Sequence, residues 1–98
     1  MDLLEAGKIL DEQIRKLKKI PYPELKRFIE DQAVETSESN SASGRSYYLE
    51  IQTLWDTVPD GNIRVIAAID DGGMRAYRPL TRDFSKTPDG SLLEEAHH

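Results

Sequence analysis

The sequence predicts an α+β domain in which two N-terminal helices pack on one face of a three- to four-stranded antiparallel β-meander. Three observations predict it. Apolar residues recur at three- and four-residue spacing up to about residue 30, and alternation with polar residues takes over from about residue 47. The alternating segments are separated by short turns rich in Gly, Asp and Pro. Such short connections suit antiparallel neighbours, whereas parallel strands need long crossovers.

The first helix is carried by Leu3, Leu4, Ala6, Leu10, Ile14 and Leu17, which fall on one side of a 3.6-residue repeat. Asp2 is the expected cap, and Asp11→Arg15 and Glu12→Lys16 are the expected i,i+4 pairs. Ile20-Pro21-Tyr22-Pro23 ends it, because proline cannot continue the hydrogen-bond ladder. Pro23 then suits the first position of a second helix reaching about Glu30, with Leu25, Phe28 and Ile29 as its buried stripe. Ala33–Ser37 alternates weakly and reads as a marginal strand before the polar segment Ser39–Gly44.

A strong strand follows. Tyr47, Leu49, Ile51, Thr53 and Trp55 take one face; Tyr48, Glu50, Gln52 and Leu54 take the other. Pro59-Asp60-Gly61-Asn62 turns the chain, and Ile63, Val65, Ala67 and Ile69 supply the next apolar face. Asp71-Gly72-Gly73 reads as a tight hairpin turn, with Arg75–Arg78 returning as a third strand up to Pro79. Thr87-Pro88-Asp89-Gly90 turns once more.

At 98 residues the chain holds one modest core, read as a single domain over 1–91 with a flexible tail at 92–98. His97 and His98 look like the remnant of an affinity tag and are left out of functional reasoning. Hydrophobic residues at 38% against 32% charged place the chain among polar but foldable sequences. No apolar run approaches the roughly 18–20 residues that span a bilayer. With no membrane segment and no basic, apolar leader in Met1–Glu5, a cytoplasmic location is the expectation. The absence of cysteine removes thiol catalysis, disulfides and thiolate zinc sites.

Charge is uneven. Residues 1–31 hold seven bases and seven acids, and residues 32–98 hold six bases and eleven acids. A net charge of -5 does not favour nucleic-acid binding, which relies on neutralising phosphates.

Four groups of residues could carry function. Asp70 and Asp71 on the diglycine turn, with Arg75, could hold a divalent cation through hard oxygen ligands, or an anion through the arginine. A plain Asp-Gly turn is the stronger reading, because Asp60-Gly61 and Asp89-Gly90 recur as turn pairs and adjacent strand side chains point apart. Arg75, Arg78 and Arg82 read first as solvated ion-pair partners of the nearby aspartates. Arg15, Lys16, Lys18, Lys19, Lys26 and Arg27 form the basic concentration, a third-ranked candidate for nucleic acid. Its plainer reading is a solvated helix end that complements the helix dipole. Tyr48, Leu54, Ile66 and Tyr77 fall on the sheet face away from the main apolar stripe. If that face is bare, they form an apolar-aromatic patch suited to a protein partner or a second copy.

Catalytic parts are thin. No internal histidine, P-loop, dinucleotide fingerprint or zinc helix occurs, and the serines of 37–46 have no adjacent base to activate them. No catalytic residue and no cofactor is assigned.

Tyr48-x-Glu50-Ile51-Gln52-x-x-Trp55-Asp56, Gly61-x-Ile63-Arg64-Val65, Ile69-Asp70-Asp71-Gly72-Gly73, Pro79-Leu80, Phe84 and Pro88-Asp89-Gly90 together resemble a group of small uncharacterised bacterial domains. The resemblance covers roughly residues 44–91. It implies a small α+β domain and carries no activity, cofactor or site residue.

The leading expectation is a non-catalytic interaction domain using the exposed sheet face. A metal- or ligand-dependent enzyme at the Asp70-Asp71 turn is the alternative.

Overall fold

The computed structural model describes residues 2–72 and 79–93. Its elements are α1 (Leu3–Leu17), α2 (Tyr22–Asp31), β1 (Val34–Asn40), β2 (Ser46–Trp55), β3 (Ile63–Asp70), β4 (Leu80–Lys86) and β5 (Leu92–Leu93). The strands form one sheet in the order β1-β2-β3-β4-β5, every neighbour antiparallel. Both helices lie on one face, α1 over β3 and β4 and α2 over β2 and β3. The expected fold class is the observed one.

Asp2 caps α1, its Oδ1 accepting from the N–H groups of Leu4 and Glu5 at 3.1 Å. Ala6, Leu10, Ile14 and Leu17 turn inward with Leu25 of α2. They meet Tyr47 and Leu49 of β2, Ile63, Val65, Ala67 and Ile69 of β3, and Phe84 of β4. Phe28, Ile29, Ile51 and Trp55 pack around that centre. Leu3 and Leu4, expected on the buried side, are 64% and 73% exposed. The first turn of α1 overhangs the sheet, so helical spacing alone does not bury it. The expected surface pairs are also redrawn: Asp11 meets Arg82 of β4 at 3.2 Å, and Glu12 meets Arg15 at 3.5 Å.

The β1–β2 connection is a three-residue loop. Ser41 N–H donates to Arg45 O at 2.8 Å, and Gly44 sits at φ 88°, the left-handed position that such a loop gives to glycine. Thr87–Ser91 repeats the design between β4 and β5, with Thr87 N–H on Ser91 O at 2.8 Å and Gly90 at φ 91°. Between β2 and β3, Tyr22 and Lys26 of α2 hold the turn from above. Tyr22 donates its hydroxyl to Gly61 O at 2.7 Å, and Lys26 meets Asp60 at 2.6 Å.

The segment Ala33–Ser37 belongs to a full seven-residue strand, Val34–Asn40, paired with β2 over its whole length. Leu80–Lys86 is a strand beyond Pro79, where none was expected, and Ile69 pairs with Leu80. The tight turn expected at Asp71-Gly72-Gly73 reaches Gly73, outside the described residues. The segment Arg75–Arg78 lies outside the described residues. β4 carries no clean alternation because its inward positions include Arg82 and Lys86 beside Leu80 and Phe84. Leu92 and Leu93, expected in the tail, form β5 against Lys86 and Ser85.

Candidate functional site

The face of the sheet opposite the helices is the candidate site. Directly opposed residues of an antiparallel pair share a face. The register therefore groups Val34, Thr36 and Glu38 with Tyr48, Glu50, Gln52 and Leu54, then with Arg64, Ile66, Ala68 and Asp70, and then with Thr81 and Asp83. No helix packs on this side among the described residues.

Tyr48 is 46% exposed at one end of the face, while Leu54 and Ile66 are half-buried at the other. Leu54 opposes Arg64 and Ile66 opposes Gln52, so the two apolar side chains are diagonal neighbours. Tyr48 stands six positions from Leu54 along β2, about 20 Å at ~3.3 Å per residue, with Glu50 and Gln52 between them. The expected patch is thus divided. Its fourth member, Tyr77, lies outside the described residues. Arg64 stands at the Leu54 end of the face: its Nε donates to Asp56 at 3.1 Å and its Nη1 to Asp83 at 2.6 Å. The face is mixed in character, with apolar and aromatic groups set among ion pairs.

Asp70 is committed to its own turn. Its Oδ1 accepts from Gly72 N–H at 2.7 Å. Gly72 sits at φ 75°, and a Cβ there would lie 2.7 Å from Cε2 of Tyr48. The ring of Tyr48 thus lies against the backbone of this turn, above a hollow of about 270 Å³ between Thr36, Glu50 and Asp70. Asp71 is exposed beside it. No group of three or more metal-ligating side chains occurs among the described residues. Arg75, the third member of that candidate, lies outside them.

The basic group is spread over two helices. Arg15, Lys16, Lys18, Lys19 and Arg27 are exposed, whereas Lys26 is half-buried and held by Asp60, whose carboxylate raises the lysine's pKa. Arg82 is engaged by Asp11 at 3.2 Å and by its own neighbour's carbonyl, Thr81 O, at 2.9 Å.

The sequence reading missed a polar network on the helix side. Glu5 of α1 accepts from the Tyr47 hydroxyl at 2.9 Å and from Ser43 Oγ at 3.1 Å; Ser41 and Ser43 share a hydroxyl hydrogen bond of 2.8 Å. A groove of about 610 Å³ opens beside it, walled by Glu5, Lys8 and Glu12 and floored by Ser39 and Ser41. The signal in the sequence was slight: Glu5 follows its cap by three residues, and Tyr47 falls on the inward face of β2.

The Tyr47 hydrogen bond holds the Glu5 carboxyl below its usual range, and burial together with that carboxylate pushes the Tyr47 phenol up. Both groups move away from neutrality, which makes Glu5 a weak base and Tyr47 a weak acid near pH 7. The folded chain binds Glu5's proton less readily than the unfolded chain does. The network's contribution is therefore present above the ordinary carboxylate pKa and is lost as pH falls through the lowered one. Tyr47→Phe should return the Glu5 pKa towards its ordinary value, as read by carboxyl NMR titration. The acid limb of a urea-midpoint against pH curve should become shallower.

No family model, curated protein or solved structure matches this chain.

Proposed function

We propose that the chain is a binding module without chemistry of its own, engaging a protein partner through the open face of its sheet. One observation carries the reading. A five-stranded sheet has both helices on one side, and its other side presents Leu54 and Ile66 beside the Arg64 ion pairs, with Tyr48 at the far end. Tyrosine and arginine among apolar neighbours are the residues that contribute most at protein interfaces, since they join apolar area to a polar handle. The chemical alternatives have weaker support. Asp70 serves its own turn, and Glu5 and Tyr47 are tuned away from the pH at which they would exchange protons.

A photoreactive side chain at position 52, the centre of this face, tests the reading in cells that make the protein. A single adduct should form there, not from position 8 on the helix side. The adduct should disappear with Tyr48→Ala or Ile66→Arg while the circular dichroism spectrum is unchanged. Equal labelling from both positions, or an adduct indifferent to both substitutions, would overturn it.

A further inference from the structure

We propose that two copies of the chain join through β1, pairing antiparallel about a two-fold axis at Ser37 to make one continuous sheet. This goes beyond partner binding by the open face and does not depend on it.

The two edges of the sheet are unlike. On the far side, Pro79 directly precedes the described residues of β4, the edge carbonyl of Thr81 is taken by Arg82, and the last residues of β4 are covered by β5. These are the devices that keep an edge from recruiting another strand. β1 has neither proline nor, among the described residues, a covering strand, and its only charges are Glu35 and Glu38. It runs seven residues, Val34–Asn40, without proline, lysine or arginine, and its side chains are almost all exposed.

The ladder fixes which backbone groups β1 offers. Ala33 O accepts from Thr53 N–H, and Ser41 N–H donates to Arg45 O, both at 2.8 Å. Odd-numbered residues therefore point their backbone groups at β2. By the alternation of antiparallel strands, Val34, Thr36, Glu38 and Asn40 point theirs away from it, along the free edge.

A two-fold axis perpendicular to the sheet pairs residues on the same face of the two copies. With the axis at Ser37, Thr36 meets Glu38 of the second copy and Val34 meets Asn40 of the second copy. Every outward N–H and C=O of those residues then has a partner. On the faces, Glu35 meets Ser39 of the second copy and Glu38 meets Thr36, so each acid stands opposite a hydroxyl. The neighbouring registers are worse. An axis at Thr36 leaves Asn40 unpaired, an axis at Glu38 or at Glu35 sets two glutamates against each other, and like charges directly opposed are destabilising. Charge and hydrogen bonding select the same alignment.

The joined surface is small and polar, which puts the association among weak, concentration-dependent ones. Sedimentation equilibrium of the full chain between micromolar and millimolar concentration should show monomer giving way to dimer. Residue-resolved amide exchange should show Val34, Thr36, Glu38 and Asn40 gaining protection with concentration, while Glu35, Ser37 and Ser39 are protected throughout. Thr36→Pro removes an outward N–H at an edge position and should abolish the dimer. Ser39→Glu sets like charges opposite Glu35 of the second copy and should weaken association roughly 2- to 30-fold, counting two symmetric pairs. Ser39→Lys should strengthen it.

A chain that stays monomeric at millimolar concentration would overturn the proposal. So would a dimer whose even-numbered amides gain no protection, or one in which Ser39→Glu and Ser39→Lys act in the same direction. A monomer that still gives the position-52 adduct removes the dimer and leaves the open-face reading standing. Loss of that adduct with β1 protection intact does the reverse.

Discussion

Lys86→Met should lower the stability of the fold by about 2–4 kcal/mol, read from the midpoint of urea unfolding. Lys86 is the last residue of β4 and points inward, opposite Ile63, with 5% of its surface exposed. Its ammonium donates to Lys18 O at 2.8 Å and to Ile20 O at 2.7 Å. Those carbonyls lie at and just beyond the end of α1, where no further turn of helix can satisfy them. A cation there also complements the negative end of the helix dipole. Methionine matches the length of the lysine stem but donates nothing, so it leaves two carbonyls short of a partner at a partly buried site. Burial pushes the Lys86 pKa down, against the pull of the two acceptors. The sign follows from proton binding. The unfolded chain holds this proton to higher pH than the folded chain does, so wild-type stability gains as pH rises from the lowered pKa to the ordinary lysine value. The Met variant lacks that gain, and the gap between the two proteins should widen across the window. Tyr47 acts oppositely from the ordinary tyrosine pKa upward, but it is common to both proteins and cancels in the difference.

Leu10→Ala should cost about 2–5 kcal/mol, while Leu4→Ala should stay within about 0.5 kcal/mol of wild type. Both leucines belong to the apolar spacing of α1, yet Leu10 is wholly buried and Leu4 is 73% exposed. Leu10 meets the sheet beside Ala6 and Ile14, where truncation leaves a cavity that rigid neighbours on β3 cannot close. Chemical denaturation of the two variants separates the helix stripe that the spacing predicts from the shorter one the sheet covers. Equal losses would mean that the first turn of α1 is packed after all.

What could be read beforehand follows the strength of local periodicity. The inward positions of β2 and β3 are apolar except for Thr53, and their faces are as expected: Tyr47 and Leu49 inward, Tyr48 and Glu50 outward. Helix ends were legible because Asp2 and the Pro21–Pro23 pair act through the backbone within a few residues. β1 was weak and Leu80–Lys86 went unread as a strand for related reasons. β1 is polar on both faces, β4 mixes Arg82 and Lys86 with Leu80 and Phe84 on its inward face, and the strand state of both comes from the neighbour they pair with. Lys86 shows the limit sharply. Nothing within ten residues of it announces burial, because its partners lie at Lys18 and Ile20. The same holds for Glu5 and Tyr47, which meet only when α1 lies across the sheet. The candidate face was legible as a set of outward positions, but the distance from Tyr48 to Leu54 and the ion pairs of Arg64 were not.

The packing of α1 on β4, tied off by Lys86, sets an order on how the fold is made during synthesis. α1 docks on a strand that is translated about sixty residues after it. Between the end of α1 at Leu17 and the arrival of Lys86, the ribosome needs roughly 3–14 s at ~5–20 residues per second. During that interval the Leu10–Ile14 face has no β4 to cover it. β2, β3 and α2 can assemble from neighbours in sequence, but α1 must wait. A nascent chain stalled before residue 80 should therefore offer that helix to chaperones, and one released past residue 86 should not.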